Sequence, residues 1–141
     1  MFTVPTPKNE KNEGKPVTAT LELTEQNFEE TLGKGGILFI DFWAGWCRPC
    51  LAFAPVFEAA AGKHKDIIFA KVDTEAQRGL AAAFEIQAIP TLAVFRDGIL
   101  IGQNAGSLPA AAFEQVITQV RELDMDKVKA EVEAQKAKQK Q

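Results

Sequence analysis

The sequence predicts an α/β fold built on a mixed sheet, and three observations carry that reading. Two apolar, strand-like runs, 37–43 and 66–72, flank a segment with helical spacing. Strand, helix, strand in that order implies a right-handed crossover with parallel pairing. Asp97-Gly98 separates two further apolar runs, 92–95 and 99–102; this dipeptide is a strong two-residue hairpin signal, so those runs pair antiparallel. The third observation is chemical. Both cysteines of the chain lie in Trp46-Cys47-Arg48-Pro49-Cys50, where the first run gives way to the helix.

Composition bounds the rest. A chain of 141 residues, 46% of them hydrophobic, suits one domain with a real core. Ten Phe and no Tyr point to a core of phenyl rings. The formal net charge of -3 argues against nucleic acid as the main partner. No apolar run reaches the length of a membrane span, so no membrane role is expected. Residues 1–7 have neither a basic start nor a long apolar stretch, unlike a secretory leader. A cytoplasmic chain is therefore expected, in a compartment that keeps thiols reduced.

In chain order, residues 1–17 are polar and rich in Pro and charge, and read as a flexible arm. Residues 18–23 alternate as a half-buried edge strand does. Thr24 is placed to cap a short helix carrying Phe28 and Leu32, which Gly33, Gly35 and Gly36 end. The run 37–43 is apolar enough to be covered on both faces, except for Asp41. A buried carboxylate is rare. Either backbone N–H groups satisfy it, or it is a proton acceptor with a burial-raised pKa under the cysteine helix. That helix runs from about 49 to 62, with Pro49 in its first turn and a kink expected at Pro55. Its buried face is Phe53, Val56, Phe57 and Ala60.

The second strand carries Lys71, which is either a solvated edge charge or a partner for Asp41 on the neighbouring strand. Thr74-Glu75-Ala76-Gln77 matches a capping box and starts a helix ending near Phe84. Pro90 stands at the entrance to the next strand, where a missing N–H costs the ladder nothing. After Gly106, Ser107 caps a last helix with Pro109 in its first turn and a stripe of Phe113, Val116, Ile117 and Val120. Beyond 124 the large apolar residues thin out to Met125, Val128 and Val132, and a frayed, solvated helical tail is expected.

A Cys-x-x-Cys at a strand-to-helix junction is the redox form of the motif. The spacing puts both sulfurs on one turn. The first sulfur sits at the helix end, whose unpaired N–H groups favour thiolate over thiol. A purely structural bridge would close too small a ring to stabilise much. Zinc needs about four ligands, and the chain adds only His64 to the two cysteines, so no metal is expected.

With these elements in the order β-α-β-α-β-α-β-β-α, the chain closely resembles the thioredoxin family over roughly 18–123. The resemblance rests on the Trp-Cys-x-Pro-Cys core, Asp41 five residues before Trp46, Lys71-Val72-Asp73, Ile89-Pro90-Thr91, Asp97-Gly98 and Ala105-Gly106. It implies a central five-stranded mixed sheet flanked by four helices, with Pro90 cis and packed beside the cysteines. It also implies a substrate groove formed by Trp46, Ile89, Pro90 and Gly106. The implied activity is protein-disulfide reduction by dithiol–disulfide exchange: Cys47 attacks, Cys50 resolves, and Asp41 accepts a proton with Lys71 tuning it. Arg48, Pro49 and Pro90 modulate. No cofactor is needed in the domain. The implied partners are disulfide-containing target proteins and an NADPH-dependent thioredoxin reductase, the chain itself working as a monomer. Arg48, Leu51 and Gly45 depart from the family's usual Gly, basic and larger residues, which bears on substrate preference. The competing functions are a disulfide oxidase or isomerase of the same fold and a non-catalytic binding module.

Overall fold

The computed structural model describes residues 19–139. The arm expected over 1–17 lies outside them. The described residues fall into two compact units, one ending at Ser107 and the other beginning at Leu108.

The first unit holds a five-stranded mixed sheet in the order β1-β3-β2-β4-β5. Its elements are β1 (Thr20–Glu22), α1 (Phe28–Leu32), β2 (Ile37–Trp43), α2 (Arg48–Lys63), β3 (Ile68–Asp73), α3 (Arg78–Ala83), β4 (Thr91–Arg96) and β5 (Ile99–Ala105). Strand β3 pairs parallel with both β1 and β2, whereas β4 pairs antiparallel with β2 and β5. The crossover and the hairpin therefore form as the sequence predicts. Asp97 and Gly98 both adopt positive φ, 54° and 81°, as the two central residues of a type I′ turn require.

Alternation along the central strand sorts its side chains. Leu38, Ile40 and Phe42 belong to the core that takes in Phe28 and Leu32 of α1, Leu80 of α3 and Phe84 at the C-cap of α3. Phe39 points the other way and stacks on Phe69 of β3, which in turn meets Phe57 of α2 edge-on. Asp41, two residues after Phe39, shares that second face. The carboxylate thus sits on the side of the sheet covered by the cysteine helix. Helix α2 continues through Pro55 to Lys63.

The helix starts differ from the sequence expectation. Thr24 does not cap α1. Its N–H donates to Asn27 Oδ1 at 2.7 Å and its Oγ1 accepts from the Asn27 N–H at 3.3 Å, so the pair closes a turn ahead of the helix. Thr74 does not cap α3 either; its N–H and hydroxyl both donate to the Trp43 carbonyl. Helix α3 is held from a distance. The Gly79 N–H donates to Glu25 Oε2 at 2.9 Å, and the Glu25 N–H donates to Gln77 Oε1 at 3.0 Å. At its other end, the N–H of Ile86 reaches the Ala81 carbonyl and that of Glu85 reaches Ala82. This is a Schellman closure with Glu85, at φ 54°, in the position that usually holds glycine.

The second unit holds α4 (Ala110–Arg121) and α5 (Met125–Gln139). Phe113, Ile117 and Val120 are buried, and Val116 is half-buried. The N-cap position of α4 is Pro109, not Ser107, with no side-chain cap. The tail expected to fray is a regular helix, α5. It is a fifth helix beyond the four expected, mostly exposed, with Met125, Val128 and Val132 half-buried.

Candidate active site

Strand β2 ends at Trp43, and α2 begins at Arg48 after a link of four residues. That short link places Cys47 at the N-cap of α2, where its Sγ accepts the Cys50 N–H at 3.2 Å. The two cysteines form a disulfide, with Cα atoms 5.2 Å apart. Both are nearly covered, Cys50 at 1% exposure and Cys47 at 4%. They form a small cluster with Ala44, against which Trp43 and Ile89 pack. The N–H aimed at Cys47 Sγ, at the positive end of a 16-residue helix, stabilises negative charge on that sulfur.

Of the predicted groove residues, Ile89 reaches this pair directly. The Ile89–Pro90 peptide is cis, and the Ile89 carbonyl oxygen lies 3.7 Å from Cys47 Sγ. The Gly106 N–H donates to the Pro90 carbonyl at 2.8 Å, tying the end of β5 to the proline loop. Trp46 is 69% exposed beside the cysteines. Leu51, in the next turn of α2, is 50% exposed, so the rim is apolar where the sequence departs from a basic residue. Arg48 and Pro49 are the first two residues of α2 and both are exposed.

Asp41 is fully buried, and among the described residues neither carboxylate oxygen accepts a hydrogen bond. The backbone-satisfied alternative is thereby excluded for those residues. Parallel register sets Asp41 opposite Lys71, whose Nζ stands 3.9 Å from Asp41 Oδ2. Lys71 is a partner for Asp41, not an edge charge. Burial pushes the Asp41 carboxyl up from 3.8 to about 6, with the Lys71 ammonium pulling the other way. The same Nζ lies 4.9 Å from the Trp43 ring centroid. Asp41, Lys71 and Trp43 thus form a continuous line to the cysteine cluster.

One contact at the site was not legible in the sequence. The Trp46 indole N–H donates to Glu75 Oε2 at 3.2 Å. The only prior signal was register: β2 and β3 run parallel with Trp43 opposite Asp73, so the residues just beyond each strand end meet. Among the described residues no cluster of His, Cys, Asp and Glu could hold a metal ion. No helix of the described residues is long and apolar enough to cross a membrane.

A buried cysteine pair at the N-terminus of a helix, beside a cis-proline loop and above a buried carboxylate, defines a thiol–disulfide oxidoreductase. Comparison with known proteins places it more closely. The thioredoxin family model matches residues 19–119. The chain is 49% identical to a putative thioredoxin 2 of Streptomyces coelicolor over 121 residues, covering 86% of this chain and 90% of that one. It is 38% identical to a thioredoxin of Staphylococcus haemolyticus over 102 residues, 70% of this chain and 95% of that one. Among solved structures, a thioredoxin of Malassezia sympodialis superposes with a TM-score of 0.65 at 31% identity, covering 74% of this chain and 92% of that one. The chain belongs to the thioredoxin family, and its activity is dithiol–disulfide exchange on disulfide-containing proteins.

Proposed function

We propose that the chain reduces target disulfides with Cys47 as attacking and Cys50 as resolving residue. The observation that carries this is the asymmetry of the pair: the Cys50 N–H serves the Cys47 sulfur, and Cys50 is the more buried. The Cys47 thiolate attacks one sulfur of the target disulfide, forming a mixed disulfide and expelling a target thiolate. Cys50 loses its proton and attacks Cys47 Sγ, which releases the second target thiolate and leaves the Cys47–Cys50 disulfide. Asp41 accepts the Cys50 proton through a water, and a carboxyl pushed up to about 6 is matched to that task near neutral pH. Lys71 tunes it. Trp46, Ile89, Pro90 and Gly106 form the groove for the target chain. Arg48 favours the neighbouring thiolate, and Pro49 starts the helix that presents it.

Residues 18–123 are the proposed working domain, followed by a tail from 124 whose described part is the helix Met125–Gln139. On family membership alone we further propose an NADPH-dependent thioredoxin reductase as electron donor, a cytoplasmic setting and a monomeric working chain. The test is a trap. Cys50→Ser should accumulate mixed disulfides with targets, and Cys47→Ser should form none. Normal turnover by the Cys50→Ser protein would remove the resolving role from Cys50.

A further inference from the structure

Beside the proposed groove lies a second cavity of about 300 Å³, lined by Glu85, Gln87, Ala88, Gln103, Asn104 and Ala105 among others. It adjoins the groove through the chain itself, since Ala88 precedes Ile89 and Ala105 precedes Gly106. Gln103 braces its wall, donating from Nε2 to the Phe84 carbonyl at 2.8 Å. Among the described residues no hydrogen bond occupies the side chains of Glu85, Gln87 or Asn104. The free acceptors thus include the Glu85 carboxylate and the carboxamide oxygens of Gln87, Gln103 and Asn104, with no cationic side chain lining the cavity. Glu85 also holds its place against backbone preference, at φ 54° where glycine would be unstrained. Stability gives no reason for a glutamate there, and strain of this kind concentrates at ligand clamps.

We propose that this cavity is a specificity subsite for a basic side chain, arginine above all, flanking the reacting cysteine of the target protein. This rests on the groove reading above. A target whose sulfur reaches Cys47 beside Ile89 runs past Ala88 and Gln87. At about 3.3 Å per extended residue, its second neighbour stands over the cavity. An arginine fork presents several donors in one plane, which suits a carboxylate flanked by amide oxygens. Glu85 is a positioning residue for the target and takes no part in the exchange.

The test compares homodisulfides of short peptides that carry either Arg or Glu two residues from the cysteine on both sides. The reduced full-length protein is mixed with each, and the second-order rate of its oxidation is read by tryptophan fluorescence. The Arg peptide should react about fivefold faster at low salt, and the ratio should shrink at high salt. Glu85→Gln and Glu85→Gly should both bring the ratio close to one. The glycine variant also relieves the backbone, so a folding defect is not at issue there. Glu58→Gln, exposed on α2, removes the same charge elsewhere and should keep the wild-type ratio. Equal rates for the two peptides in the wild type, or a ratio that survives in both Glu85 variants, would overturn the subsite. 2-Hydroxyethyl disulfide, uncharged and too small to span both sites, separates the two readings. If wild type reduces it while ignoring peptide charge, only the subsite fails; if wild type reduces nothing, the exchange reading itself is lost.

Discussion

The middle of β2 and the exit of β3 each hold an aspartate on the α2 face of the sheet, two residues apart in register. Asp73 closes the turn after its strand: its Oδ1 accepts the N–H groups of Glu75 at 2.9 Å and Ala76 at 3.3 Å. Asp41 accepts no hydrogen bond among the described residues and has only the Lys71 ammonium at 3.9 Å. Strand, face and chemistry are nearly shared, yet one carboxylate staples a turn and the other, among the described residues, accepts no hydrogen bond at all. The difference lies in the backbone. At a strand end N–H groups are free to turn onto a side chain, whereas in mid-ladder they are committed to the neighbouring strands.

The largest effect should come from Asp41→Asn. The wild-type carboxyl rises from 3.8 to about 6 on folding. The folded state therefore holds the proton more tightly than the unfolded state between those values, and stability falls as pH climbs through that window. Below about pH 4 both states are protonated and the penalty is absent; above about pH 6 it is complete, about 3 kcal/mol. Denaturant melts of the Asn variant should show a gain of about 1–3 kcal/mol at pH 7, the lower figure allowing for a buried amide and an unpaired Lys71. The gain should disappear near pH 4, and resolution of the mixed disulfide should slow at pH 7. A variant less stable than wild type at pH 7, with unchanged kinetics, would make Asp41 a structural residue like Asp73 and end the contrast.

Asp73→Ala should move the other way and by less. Two backbone donors lose their acceptor, which costs about 1 kcal/mol at a half-exposed turn. Asp73→Asn keeps an oxygen and should lose less. Thermal melts of the three proteins would check the order, and an Asp73→Ala protein as stable as wild type would show the turn to be held by other means.

The smallest effect should be that of Arg48→Gly, a charge change in full contact with water. For an assumed separation of about 6 Å, a cation favours a thiolate by on the order of 1 kcal/mol before screening. Favouring the thiolate stabilises the reduced pair, so its loss should make the potential more negative by roughly 10–20 mV. Redox titration at low and high ionic strength reads it. A less negative potential, or a full-sized shift that ignores salt, would count against the assignment.

The fold was legible where the signal is local. The run that predicts β2 ends on the observed residues, and the Asp97-Gly98 turn forms as its dihedrals demand. The cysteines, Trp46, Ile89, Pro90 and Gly106 could be put forward as candidates from motif and resemblance because each lies in a short contiguous motif. Helix starts were misread because Thr24, Thr74 and Ser107 are capping residue types whose side chains compete for more than one backbone partner. Thr74 is drawn to Trp43, a residue that the sequence separates from it and the β2–β3 register brings back. Glu75 and Glu85 were missed for the same reason. Their surroundings are assembled from β2, β3, β5 and the proline loop, and no spacing along the chain records them. Glu85 left one faint mark, a helix ending at Phe84-Glu85-Ile86 with no glycine to turn it.

The brace on α3 reaches beyond capping, into the order in which the molecule is built. Six residues are too few to hold a helix in water, and this one takes its N-terminal partners from Glu25, 52 and 54 positions away. It is therefore expected to order only once β1 has found its register on β3 and carried Glu25 into place. The segment that α3 feeds is the one bearing Ile89 and Pro90. The segment at Ile89 and Pro90 is thus expected to settle late and to loosen early, and its amides should exchange faster with solvent in Glu25→Ala than in wild type; unchanged exchange there would break the link to Glu25.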